Sequence, residues 1–179
     1  MTWGYDANVI RPLKLVSLAS LEEHSQNLYT TLRNVRTEVP PERPIVFIAH
    51  SLGGMVTKDA LLQSQRSTQE AVKAISNHTC GVVFMGTLHF GSADANVGYF
   101  FAYLFGMAHQ SNISPLEDLE RDGPRLNTLE RSFSQLLAQR LAEQNPVEVA
   151  CFCESLPVGG VLGIAKGTQE LVNQQTSAQ

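Results

Sequence analysis

The run IVFIAHSLGGMV at residues 45–56 constrains the fold more than any other segment of the chain. Ile45 to Ala49 is apolar, of strand length and without polar alternation, the pattern of a strand covered on both faces in a parallel sheet. GGMVTKDALLQSQ then reads as a helix, which leaves Ser51 alone in the turn between the two elements. So sharp a turn brings neighbouring backbone close to the serine. It needs small residues two positions to either side, here Ala49 and Gly53, with Ala49 standing where glycine is usual. The expected geometry is a nucleophile elbow. Its serine hydroxyl stands at the carboxyl edge of the sheet, and the Leu52 backbone N–H, at the helix N-terminus, faces a developing oxyanion. The plain alternative is an ordinary Ser-Gly turn, because so short a motif recurs by chance.

The surrounding pattern places this turn in an α/β domain. TWGYDANVI reads as a short strand, and Leu18, Leu21, Leu28, Leu32 and Val35 recur at helical spacing from Ser17 to about Val39. Pro40, Pro41 and Pro44 end that helix, since proline lacks the helical donor and holds its predecessor extended. A second helical stretch near Gln69 to Ser76 follows the elbow helix, and CGVVFM at Cys80 to Met85 repeats the strand signature before the glycine-punctuated loop GTLHFGS. Leu126, Leu129, Phe133, Leu136, Leu137 and Leu141 mark a further amphipathic helix, stopped by Pro146 ahead of an apolar strand from Val147 to Cys153. Strands separated by helices imply right-handed βαβ units and a parallel sheet of about four strands flanked by helices. The domain is expected over residues 1–165, with a polar, disordered tail over 166–179.

Composition narrows the function classes. With 179 residues, 43% hydrophobic and 17% charged, the chain can bury one core. A formal charge of -4 gives no basic field to recruit nucleic acid or an anionic membrane. The longest near-uncharged apolar stretch, Asn96 to Ala108, falls short of the roughly 20 residues a spanning helix needs. No basic, apolar and cleavable opening is present, so the expectation is a cytoplasmic protein with no transmembrane segment. Cys80, Cys151 and Cys153 form neither a disulfide framework nor a zinc pattern and are expected to pack in the core.

YDANV, FIAHSLGGMVTKDAL, GVVFMGTLHFGS and VEVACFCESLP occur in this order along most of the chain. Together they resemble the lipase-like α/β-hydrolases that include serine-active-site-containing proteins, serine esterases and their fungal relatives. Leu88 departs from the proline usual in that loop. The resemblance implies a partial α/β-hydrolase fold and a serine esterase working through Ser51 on a lipid or small-molecule ester, in a specialised metabolic pathway among other settings. No metal or organic cofactor is implied. Glu154 closes the last strand where a triad acid belongs, and fungal relatives carry a similar Phe-x-Glu there. It reads equally as a strand terminator. Asp94 is the second candidate, and Asp6 is a turn or capping residue.

No histidine is placed as the base. His50, beside the nucleophile, should point away from Ser51 into packing. His89 shapes the family's post-strand loop, His24 and His78 read as solvated, and His109 follows an aromatic stretch. On the family pattern the chain lacks the upstream His-Gly loop and the downstream catalytic histidine. Two readings therefore stand: an esterase whose site is completed elsewhere, with an acyltransferase using the same Ser51 as its variant, or a truncated non-catalytic domain serving as an interaction module. The stretch Ala93 to Ala108 fits an acyl pocket, a buried helix or a partner surface. Exposed sheet edges lead to an expectation of self-association or a partner chain.

Overall fold

A computed structural model describes residues 1–4, 18–40, 42–87 and 116–152. Four helices and three strands are formed among them: α1 (Leu18–Arg36), β1 (Ile45–His50), α2 (Leu52–Arg66), α3 (Glu70–Asn77), β2 (Thr79–Met85), α4 (Leu116–Ala142) and β3 (Glu148–Phe152). The strands form one parallel sheet in the order β1-β2-β3. This is a mixed α/β fold with a three-stranded parallel sheet flanked by helices. The expected fourth strand falls partly on Met1–Gly4, which are not in a strand, and otherwise outside the described residues. The same holds for the tail.

Register explains where the core sits. Phe47 pairs with Val82 and Val82 with Val149, while Ala49 pairs with Phe84 and Phe84 with Cys151, so these six side chains share one face. That face packs on α2 and α4 through Met55, Leu61, Leu129, Phe133 and Leu136. Phe84 meets Phe133 edge to face at 6.1 Å. On its other side α2 meets α1, where Leu21 and Leu28 join the core and the fully buried Ser25 hydroxyl donates to the Val56 carbonyl at 3.1 Å. Sandwiched in this way, α2 has almost no solvated face, and it buries Thr57, Lys58 and Ser64 along with its apolar residues.

The opposite face of the sheet differs from the sequence expectation. β1 alternates, with Ile45 and Ala49 buried and Val46 and Ile48 exposed at 58% and 73%. Met85 and Phe152 continue the exposed apolar face on β2 and β3. An unbroken apolar run suggests cover on both faces, yet among the described residues only one face of β1 is covered. Cys80 corrects a second expectation: it is exposed, with its thiol 3.4 Å from the Ile45 carbonyl, whereas Cys151 is half-buried against the core. Cys153 lies outside the described residues.

Polar side chains finish the helix ends. The Ser64 hydroxyl donates to the Val72 carbonyl at 2.6 Å and accepts from the Ser76 amide at 2.9 Å, tying α2 to α3. The buried Arg140 guanidinium of α4 donates to the Ser76 carbonyl, to Asn77 O at 3.1 Å, to Thr79 O at 3.0 Å and to Asn145 O at 2.8 Å. It thereby caps the end of α3 at Ser76 and Asn77 and ties it to the start of β2 and to the turn after α4.

Candidate active site

Ser51 follows β1 directly and precedes the first residue of α2, so the chain has one residue in which to turn from strand to helix. Its backbone takes φ 52° and ψ −125°, a conformation that costs a residue with a Cβ on the order of 1–3 kcal/mol. The peptide groups around it are held. The Ser51 N–H donates to the Met85 carbonyl at 2.9 Å, at the end of the neighbouring strand. The Ser51 carbonyl accepts from the Gly54 N–H at 3.0 Å and from the Thr87 hydroxyl at 3.0 Å. An ordinary serine at a helix N-cap bonds an amide of the first turn. Here the side chain makes no such bond, and Ser51 is half-buried at the carboxyl edge of the sheet.

Leu52 is the first residue of α2, so its N–H is among those that a helix leaves without an intrahelical acceptor. It sits at the positive end of the helix dipole, suited to an anionic oxygen. The close approach that makes the turn possible falls one residue later than the sequence suggests. A Cβ on Gly53 would meet no described atom within 4 Å. One on Gly54 would lie 2.3 Å from both Oγ1 and Cγ2 of Thr87 and 2.8 Å from its Cβ. Gly54→Ala is therefore expected to destabilise the domain by about 1–3 kcal/mol through overpacking. Gly53→Ala should be neutral or stabilising by up to about 1 kcal/mol, from helix propensity. Urea denaturation of the two variants reads the difference directly.

The histidines do not assemble a base among the described residues. His50 is exposed and lines a groove beside β1, not packed as expected. Its Nε2 is 4.0 Å from where a Cβ on Gly86 would stand, and Gly86 itself takes φ 57°. His24 on α1 and His78, the C-cap of α3, are half-buried, in contrast to the solvated placement expected of them. No described histidine hydrogen-bonds the Ser51 hydroxyl. His89, His109, Asp6, Asp94, Glu154 and the stretch from Ala93 to Ala108 lie outside the described residues. Thr87 is the contributor that sequence reasoning passed over. Its only sequence signal is its place immediately after Gly86, at the end of a strand that runs alongside the elbow strand.

The groove, about 670 Å³ in volume, runs along β1 and is lined by Trp3, Leu28, Leu32, Val46, Ile48 and His50 among others. It borders the elbow at Gly53. A strained serine between a parallel strand and a buried helix, with a helix-terminal amide beside it, can act as a nucleophile toward a carbonyl.

The chain is similar to part of Protein SERAC1. It is 31% identical to the Homo sapiens protein over 126 residues, which are 70% of this chain and 17% of that protein. The Bos taurus protein is 29% identical over the same shares, and the Danio rerio protein is 28% identical over 147 residues, 81% of this chain and 20% of that protein. The chain thus spans about a fifth of the length of the curated relatives it matches. No family model and no solved structure matches it. These relatives of the chain are vertebrate proteins, so an affinity to fungal proteins rests on the motif resemblance alone. No described helix is long and apolar enough to cross a membrane.

Proposed function

We propose that this chain is an α/β-hydrolase-type serine ester hydrolase domain that acts through a Ser51 acyl-enzyme on a lipid or small-molecule ester. The observation that carries this reading is the backbone of Ser51, a non-glycine residue at φ 52° directly between strand and helix. Strain of this kind persists only where surrounding structure over-determines it, and it clusters at functional sites. In the reaction, the Ser51 Oγ attacks the ester carbonyl carbon while a histidine takes its proton, and the Leu52 N–H meets the charge that develops on the carbonyl oxygen. The proton then goes to the departing alcohol. Water attacks the acyl-enzyme by the same route and restores the serine. Glu154 serves as the acid that orients the histidine, and the reaction draws on no metal or organic cofactor.

Covalent labelling by a fluorophosphonate tests the proposal, with heat-denatured protein and Ser51→Ala as controls. Labelling of the folded chain that is lost in both controls is the expected result. A folded, soluble chain that stays unlabelled would overturn it. That outcome favours a second reading, a non-catalytic interaction domain, which has its own supporting observation in the exposed apolar side chains Val46, Ile48, Met85 and Phe152 on one sheet face.

A further inference from the structure

Among the described residues, the loop after β2 reaches the elbow through Thr87, and its contact falls on a peptide plane that matters chemically. The Thr87 hydroxyl donates to the carbonyl of Ser51 at 3.0 Å. That carbonyl belongs to the Ser51–Leu52 peptide, which is planar and trans, as are all the described peptide bonds. Its C=O and the Leu52 N–H point in opposite directions from the same rigid unit. Whatever fixes the carbonyl therefore fixes the aim of the N–H. The Gly54 N–H alone is a weak anchor for this purpose, because it belongs to the same helix and moves with it. Thr87 comes from another element and is itself buried, 6% exposed. Gly54 admits it: any side chain there would overlap Thr87, so the glycine and the threonine form one fitted contact.

We infer that Thr87 is a positioning residue that holds the Leu52 N–H toward the oxyanion by clamping the Ser51 carbonyl. This inference rests on the reading of Ser51 as the nucleophile. It assigns to the loop after β2 a part in transition-state stabilisation that acts through the backbone, without contact to substrate. A donor that tilts away from the oxyanion loses most of its worth in the transition state and little in the ground state. The expected signature is a fall in kcat with KM unchanged.

The test compares Thr87→Val, which keeps the shape and removes the hydroxyl, with Thr87→Ser, which keeps the hydroxyl and removes the methyl. Thr87→Val is expected to slow fluorophosphonate labelling, and kcat on a small chromogenic ester, by about 10- to 100-fold. Thr87→Ser should stay within about threefold of the parent, which a purely packing role for the side chain would not allow. If Thr87→Val does not fold, Thr87→Ala against Thr87→Ser gives the same comparison. Amide exchange at Leu52 and Gly54, faster in Thr87→Val than in Thr87→Ser, reads the clamp even in a protein that does not label. An unlabelled parent chain defeats the nucleophile reading. A labelled parent with equally fast labelling of Thr87→Val defeats the clamp, as does unchanged amide exchange in an unlabelled one.

Discussion

Ester turnover is expected to fall by about 10⁴- to 10⁶-fold in Ser51→Ala, because loss of the nucleophile removes the covalent route altogether. Stability should hardly change. The Ser51 side chain caps no helix amide, and alanine meets the same backbone strain at φ 52° and ψ −125°. Ser51→Gly separates these effects. It should be as inactive as the alanine variant and yet more stable than it, since glycine escapes a strain on the order of 1–3 kcal/mol and gives back about 0.5–1 kcal/mol in chain entropy. A net gain of about 1 kcal/mol over Ser51→Ala in urea denaturation is the expected result. A glycine variant less stable than the alanine variant by about 0.5–1 kcal/mol would mean that the turn holds no strain, and the argument for a nucleophile would lose its main support.

The second large effect lies behind the site. Lys58 on α2 is 0% exposed, and its ammonium meets the Glu130 carboxylate of α4 at 2.5 Å, with the rings of Phe84 and Phe133 at 5.0 and 5.7 Å from the nitrogen. Burial pushes the lysine below its ordinary pKa, and the Glu130 charge opposes that shift. Lys58→Ala is expected to cost about 3–5 kcal/mol, because the Glu130 carboxylate then stays buried without that ammonium. Replacing both residues, Lys58→Met with Glu130→Leu, should restore the parent stability or exceed it by about 1–4 kcal/mol. Guanidinium denaturation of the two variants measures both values. A single variant that loses under 1 kcal/mol would show that Glu130 reaches water once the lysine is gone.

How much of this could be read from the sequence depends on the range of the interaction concerned. Periodicity placed α1, the elbow helix and all three strands within a few residues, because apolar spacing reports which side of an element is buried. α4 starts ten residues ahead of its apolar stripe, since residues 116–125 carry no comparable pattern. The elbow was legible because strand, serine and helix are contiguous. Backbone spacing alone points to glycine at position 53. Glycine matters at 54, where a loop distant in sequence supplies Thr87. Lys58 and Glu130 are 72 residues apart, and charged residues are almost always solvated, so no local pattern announces the pair. The exposure of Val46 and Ile48 differs from the sequence expectation for a related reason. An apolar run shows what a strand could bury and does not show what is there to cover it.

Arg140 has a consequence for the order of assembly. Three of its four carbonyl partners lie 61 to 64 residues upstream, at the junction of α3 and β2. Until residue 140 has left the ribosome, those oxygens lack the guanidinium that gathers them. The earlier pairing of β1 with β2 therefore forms without that clamp, which closes when the far end of α4 docks. Among the described helices, the last to be synthesised seals a joint between elements made before it.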